Sequence, residues 1–241
     1  MKNKYHALIL FCLITSGIYA QTTDDNIIIN HCEDSYVFKE ENGDIRVENT
    51  KRTEYEATRM GTSIQPYAYY GEFLSMDGAK VKGIFAPKPI YKNATPDNVF
   101  FDDTRICYFN VYLPRQGKKA EVEFNRTYHD LHYFTCIYFP ENYFTREKRI
   151  VITIPSSLSR YRLVEKNSTP DMQCERSVNK QGDSLLIYTL KDMPPLKNET
   201  SAPGSSYLYP HLLITGSFNG TQQMYQWLNG LANVDCSLAP F

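Results

Sequence analysis

With 241 residues, the chain is long enough to bury a full apolar core, as one large domain or two small ones, without disulfide staples. The formal net charge is −1, from 26 Lys+Arg against 27 Asp+Glu. That balance provides no broad basic surface for phosphates, so nucleic acid is not an expected partner.

The first elements are those of an export signal. Lys2 and Lys4 precede the apolar run Ala7 to Ile14, and Ile18-Tyr19-Ala20 ends in a small residue suited to cleavage before Gln21. Residues 1–20 therefore read as a signal peptide, and the mature chain as exported, periplasmic or extracellular. The apolar run is too short to cross a bilayer, and no later stretch is long and apolar enough to do so, so no membrane span is expected. Cys12 lacks the small residues that a lipid-anchor site wants in front of it. Five cysteines remain after cleavage: Cys32, Cys107, Cys136, Cys174 and Cys236. The odd count leaves at least one unpaired or paired with another molecule. Cys107 and Cys136 both fall in strand-like runs, where they either bridge or pack as small buried apolar groups. No C-x-x-C spacing points to zinc or to thiol redox chemistry.

Residues 21–34 read as a leader segment, in which Ile27-Ile28-Ile29 is either a first edge strand or a sticky leader. From Tyr36 the pattern is regular. Tyr36-Val37-Phe38 precedes Asn42-Gly43, with Ile45 and Val47 beyond, and Asn-Gly between such runs favours a tight hairpin. Asp77-Gly78 reads as a second such turn between Phe73-Leu74 and Val81. Tyr67, Tyr69, Tyr70 and Phe73 mark an aromatic strand. Prolines 87, 89 and 96 frame an irregular stretch, and Arg105 to Leu113 reads as one strand ending at Pro114. The stretch Lys118 to Pro155 is the expected organising centre of the fold. Ala120, Val122, Phe124 and Tyr128 alternate with polar residues, the period of a half-buried strand, and Arg126 breaks that pattern on the apolar side. Tyr133 to Phe139 and Arg149 to Ile154 follow as β-branched and aromatic runs bounded by turn residues. Further strands are expected at Arg160–Val164, Ser184–Leu190 and Tyr209–Thr215, with 171–180 a loop or edge. Met224, Trp227, Leu228 and Leu231 form an apolar stripe on one short helix, capped by Asn219 and Gln222 and stopped near Gly230. The expected fold class is all-β, an antiparallel β-sandwich over residues 35–232 with one short C-terminal helix, followed by a tail over 233–241.

Several of these segments carry a resemblance. Leu190-Lys191-Asp192-Met193-Pro194-Pro195-Leu196, Tyr209-Pro210-His211-Leu212-Leu213-Ile214, Ser217-Phe218 and Trp227-Leu228-Asn229-Gly230-Leu231, with Gly117-Lys118 and Ile152-Thr153-Ile154-Pro155 in the middle, match one known pattern. They resemble the β-rich domain, called domain of unknown function 3857, that precedes the papain-like core of bacterial transglutaminase-like exported proteins. The resemblance runs from about Tyr36 to Leu231. These motifs are sheet, turn and cap devices, so they speak for fold and not for mechanism. Thr221 stands where the family often has an aromatic. The family's catalytic core would begin beyond Leu231, whereas this sequence ends at Phe241, so the resemblance implies the accessory domain without the enzyme. The implied partner is a separately encoded transglutaminase-like protein or an envelope ligand.

The remaining candidates are local. His129-Asp130-Leu131-His132 groups two imidazoles and a carboxylate, but offers no fourth ligand for a structural zinc, and reads as a polar hairpin connection. No Cys shows the activating context of a nucleophile. No catalytic residue, cofactor or metal site is therefore assigned. Tyr67 and Tyr69 share one strand face and could stack on a ligand, against the plainer role of cross-strand packing. Two alternatives to a non-catalytic module follow: a carbohydrate-binding domain using these surface tyrosines, and a cysteine hydrolase or transamidase.

Overall fold

A computed structural model describes residues 26–41, 44–83, 86–94, 103–130, 134, 136–158, 162–196, 203–215 and 221–232. The expected signal peptide, the Asn42-Gly43 turn, His132, Asn219 and Cys236 lie outside them. In chain order the elements are β1 (Ile27–Glu41), β2 (Asp44–Ala57), β3 (Thr62–Ile64), β4 (Tyr67–Tyr70), β5 (Leu74–Val81), β6 (Ile90–Asn93), β7 (Arg105–Tyr108), β8 (Val111–Leu113), β9 (Lys119–Tyr128), β10 (Cys136–Tyr138), β11 (Phe144–Ile154), β12 (Arg162–Lys166), β13 (Gln173–Val178), β14 (Ser184–Met193), α1 (Ser205–Leu208), β15 (His211–Thr215) and α2 (Thr221–Ala232). A turn of 3₁₀ helix, Ser156–Leu158, follows β11.

The fold is an all-β sandwich with a short C-terminal helix. One layer is a seven-stranded sheet in the order β13-β14-β11-β1-β2-β9-β5. The second layer is divided: β3-β8 and β4-β7-β6 cover one half of the large sheet, and β10-β15-β12 covers the other. Two apolar cores result. The first joins Ile27, Ile29, Tyr55, Val122 and Phe124 to Ile64, Ala68, Cys107, Phe109 and Leu113. The second joins Tyr36, Phe38, Ile150, Ile152 and Tyr188 to Phe134, Ile137, Phe139 and Leu212.

Several expectations change on this frame. The organising strand is β1, not the stretch from Lys118. Residues 27–34, expected as leader, form its first half, and the triple Ile sits mid-sheet between β11 and β2. The β1–β11 pair is parallel, the exception in an otherwise antiparallel sheet, because the long intervening chain can cross over as a hairpin cannot. Asp77-Gly78 is not a hairpin turn but a bulge within β5, where the register against β9 shifts between Met76 and Gly78. Arg105 to Leu113 is two strands, β7 pairing with β4 and β6, and β8 with β3, in separate sheets. Among the described residues of the run 133–139, Cys136–Tyr138 is strand. Gly117 takes the left-handed conformation (φ +73°) that closes the turn into β9. The expected edge at 171–180 is β13, exposed along its whole length.

Candidate functional site

Between the two cores the inner face of the large sheet carries a band of polar residues. A bulge creates it. Up to Ile29 the odd-numbered residues of β1 face inward; the register then shifts between Ile29 and His31, and Cys32, Asp34, Tyr36 and Phe38 face inward instead. Asn30 anchors the bulge on the outer side. Its amide donates to Glu54 Oε1 (3.0 Å) and Glu56 Oε2 (2.7 Å), and its Oδ1 accepts from Arg146 (2.9 Å). Cys32 and Asp34 thereby come opposite Thr53 and Lys51 of β2, and Cys32 comes beside Lys148 of β11.

A loop completes the cluster. Phe139 belongs to the second core and Tyr143 packs on the first, edge-on to Tyr55 with ring centroids 6.1 Å apart. The segment between them crosses the seam, held by Phe139 N donating to Pro210 O (3.2 Å) and Leu196 N donating to Glu141 O (2.8 Å). Glu141 is thus set over the band.

Lys148 is the hub. Its side chain has no exposed surface, and its Nζ donates to Asp34 Oδ2, to Glu141 Oε1 (2.6 Å) and to Cys32 Sγ (3.3 Å). Those are all the protons an ammonium has. Lys51 donates to both Glu141 oxygens, at 2.8 and 2.7 Å. Two cations therefore meet two carboxylates, and Cys32, also 3.4 Å from Thr53 Oγ1, stays a neutral thiol. The electrostatics follow. Burial alone would raise the Glu141 carboxyl, but Lys148 and then Lys51 overcome it and hold it near 2. Burial would lower the Lys148 ammonium, and Asp34, Cys32 and Glu141 together push it well above its ordinary range. For Cys32 burial wins over Lys148, and the thiol is pushed up to about 11. Asp34 Oδ1 is buried with no hydrogen-bond partner among the described residues.

The ligand atoms of Cys32, Asp34 and Glu141 lie within 4.8 Å of one another, a spacing that could hold a metal ion. The Lys148 ammonium donates to all three, so the cation they are arranged around is the protein's own. The band continues along the sheet: Arg126 donates to Asn49 Oδ1 through Nε (3.2 Å) and Nη2 (2.8 Å). The residue that broke the sequence pattern of β9 is thus part of it.

The residues singled out from the sequence lie elsewhere. Tyr67 and Tyr69 share the outward face of β4 and are 44% and 48% exposed, with ring centroids 5.3 Å apart at 69°. Tyr70 points to the other face and is half-buried. The bridge between Cys107 and Cys136 is not formed. Both are free thiols, Cys107 buried in the first core on β7 and Cys136 on β10, in the sheet that covers the second. The His129-Asp130-Leu131-His132 cluster reaches beyond the described residues. Asp34, Glu141 and Lys148 were missed. A depression of about 410 Å³ on the outer face is lined by Arg52, Lys80, Lys82, Glu121 and Glu123, but these pair with one another.

No family model matches the chain, and no curated protein matches it either. Solved structures do. Over 87% of this chain and 44% of the other, it superposes with a TM-score of 0.62 at 11% identity on a protein from Parabacteroides distasonis described as a "putative protease". It also aligns, at a TM-score of 0.45 and 10% identity, over 88% of this chain and 76% of the other, with a "putative nutrient binding protein" from Legionella pneumophila. The first likeness establishes a shared fold, and this chain spans less than half the length of that neighbour.

Proposed function

We propose that this chain is an exported, non-catalytic β-sandwich module that binds a separately encoded transglutaminase-like protein or an envelope ligand. One observation carries the reading: the reactive groups are committed to holding the fold together. Each described cysteine meets something other than an imidazole. Cys32 meets Lys148, Glu141 and Thr53; Cys107 meets Tyr91, Cys136 meets Tyr138, and Cys174 meets Arg176. A nucleophilic thiol needs a base and an orienting group beside it. A fold that recurs as part of a longer chain described as a "putative protease" supports an accessory role, as does the sequence resemblance to a domain that precedes a papain-like core. The test is co-expression of the full chain with a transglutaminase-like protein of the same host. Co-elution on gel filtration is expected. Separate elution, together with amide hydrolysis or transamidation by the isolated chain, overturns the reading.

A second reading, carbohydrate binding, is favoured by the outward face of the β4-β7-β6 sheet. Tyr67 and Tyr69 stand there beside Tyr108, over whose ring Lys92 Nζ sits 5.7 Å from the centroid. The two leading rings are tilted, so only one at a time can lie flat against a sugar. Glycan-array binding that disappears in Tyr67→Ala and Tyr69→Ala would favour this reading over the first, and a silent array would reject it.

A further inference from the structure

We propose that Lys148 and Asp34 condense to an intramolecular isopeptide bond joining β11 to β1, with Glu141 carrying the proton between them. Three groups are needed for such a reaction: an amine, an acyl group and a proton carrier. Lys148 supplies the amine on a side chain with no exposed surface, its Nζ hydrogen-bonded to Asp34, Glu141 and Cys32. Asp34 supplies the acyl group, hydrogen-bonded to the amine through Oδ2. Glu141 supplies the carrier, with Oε1 2.6 Å from the same Nζ. Sheet geometry holds them in place: Cys32 is the parallel-ladder partner of Lys148, and Asp34 is the next inward residue along β1.

The step balances without an outside reagent. The ground state is the ion pair, and proton transfer along its hydrogen bonds gives the neutral amine and the neutral acid. Nζ then attacks Cγ of Asp34, forming the C–N bond. Glu141 takes the second proton from nitrogen and delivers it to the departing carboxyl oxygen, which leaves as water. An amide with one N–H remains, and nothing is oxidised or reduced. In bulk water this condensation is unfavourable. Here the reactants are held together, and effective molarities for well-oriented groups reach about 10⁵–10⁸ M. Water is also kept from the product.

The charges around the pair fit the product. Condensation removes one cation and one carboxylate together, leaving Lys51 and Glu141 as a complete pair with two hydrogen bonds. Asp34 Oδ1, buried without a partner among the described residues, belongs to an ionised group before reaction and to a neutral amide after it. A neutral carbonyl costs far less to bury than a carboxylate. The new N–H is placed to donate to Glu141.

The test is the intact mass of the full chain, purified folded and with thiols reduced, followed by peptide mapping. The expected mass is one water below that of the processed sequence, with the loss confined to a branched peptide linking the Asp34 and Lys148 segments. An N-terminal Gln21 that cyclises loses ammonia instead, and maps to the first peptide. In Glu141→Gln the bond forms about 100-fold more slowly or not at all, as expected for loss of a proton carrier, and in Asp34→Ala it is absent. A folded wild-type chain of unmodified mass, with Asp34 and Lys148 recovered in separate linear peptides, overturns the proposal. So does a loss of water that maps elsewhere.

Discussion

On the outer face of the seven-stranded sheet, Glu33 of β1 pairs with Arg149 of β11 at 3.1 Å. One residue forward on β1 and one back on β11, Asp34 and Lys148 pair on the inner face. The same two strands are thus tied twice, by the same chemistry, in two solvents. The Glu33 and Arg149 side chains are 25% and 36% exposed, whereas those of Asp34 and Lys148 are 6% and 0%. Outside, water screens the attraction and would accept either charge alone. Inside, neither charge could be left alone, so the inner pair recruits Glu141, Lys51 and Cys32 until nearly every proton and lone pair has a partner. What differs is the cost of separating the partners, not their attraction.

The largest effect expected from breaking one side of this comparison comes from Lys148→Met. Relative to the uncondensed chain, it leaves two buried carboxylates with only Lys51 to neutralise them, and should cost about 3–5 kcal/mol in urea unfolding. Arg149→Met, its outer neighbour, is the control. A loss for Lys148→Met no greater than the control's would mean that water reaches the cluster.

Acid titration sharpens the contrast. The Glu141 carboxyl is depressed from an ordinary 4.5 to about 2. A depressed carboxylate contributes stability that is complete above its unfolded value and is lost as pH falls through its folded one, here between about 4.5 and 2. Relative to the uncondensed chain, Glu141→Gln should therefore lose about 3 kcal/mol at neutral pH and flatten the acid limb of the stability curve. In the uncondensed chain the raised ammonium of Lys148 acts at the other end: its contribution is complete below the ordinary lysine range and is lost only as pH rises through the higher folded value.

Glu123 is the outer face's nearest approach to a buried charge. Its own burial would raise it, but hydrogen bonds from Arg52, Asn125 and Lys80 hold it near 2. It therefore titrates in the same window as Glu141. The difference lies in the partners, since the Arg52 and Lys80 side chains are 53% and 68% exposed. The stability lost in Glu123→Gln should shrink as salt is raised from about 0.01 to 1 M, where the screening length falls from about 30 to 3 Å. The loss in Glu141→Gln should not. Urea unfolding of both variants across that salt range separates them.

Much of the sandwich could be read from the chain, because β-branched and aromatic runs between turn residues need only local information. The role of β1 could not. Its inward residues are odd-numbered before the bulge and even-numbered after it, so a period of two carried through Ile27 to Phe38 falls out of step and the segment looks like an irregular leader. The ion cluster was hidden for a different reason. Asp34 and Lys148 are 114 positions apart, and each is unremarkable by itself. The available signal was a charge on an apolar face: Asp34 among Cys32, Tyr36 and Phe38, and Lys148 in line with Ile150, Ile152 and Ile154. That same signal was noticed at Arg126, where it does mark the polar band. Two such violations of opposite sign predict a buried pair, but which strands bring them together is a property of the fold.

The smallest expected effect isolates the outer tie. Glu33→Gln removes a partly exposed partner of Arg149 and should cost about 0.2–1 kcal/mol, falling further with salt. Combined with Arg149→Met it forms a double-mutant cycle whose coupling energy should be no more than that. The corresponding inner cycle on the uncondensed chain, Asp34→Asn with Lys148→Met, should give a coupling several times larger, because each single variant strands a charge that the double variant does not. Equal couplings on the two faces would show that burial adds nothing to the inner tie, and would place its partners within reach of solvent.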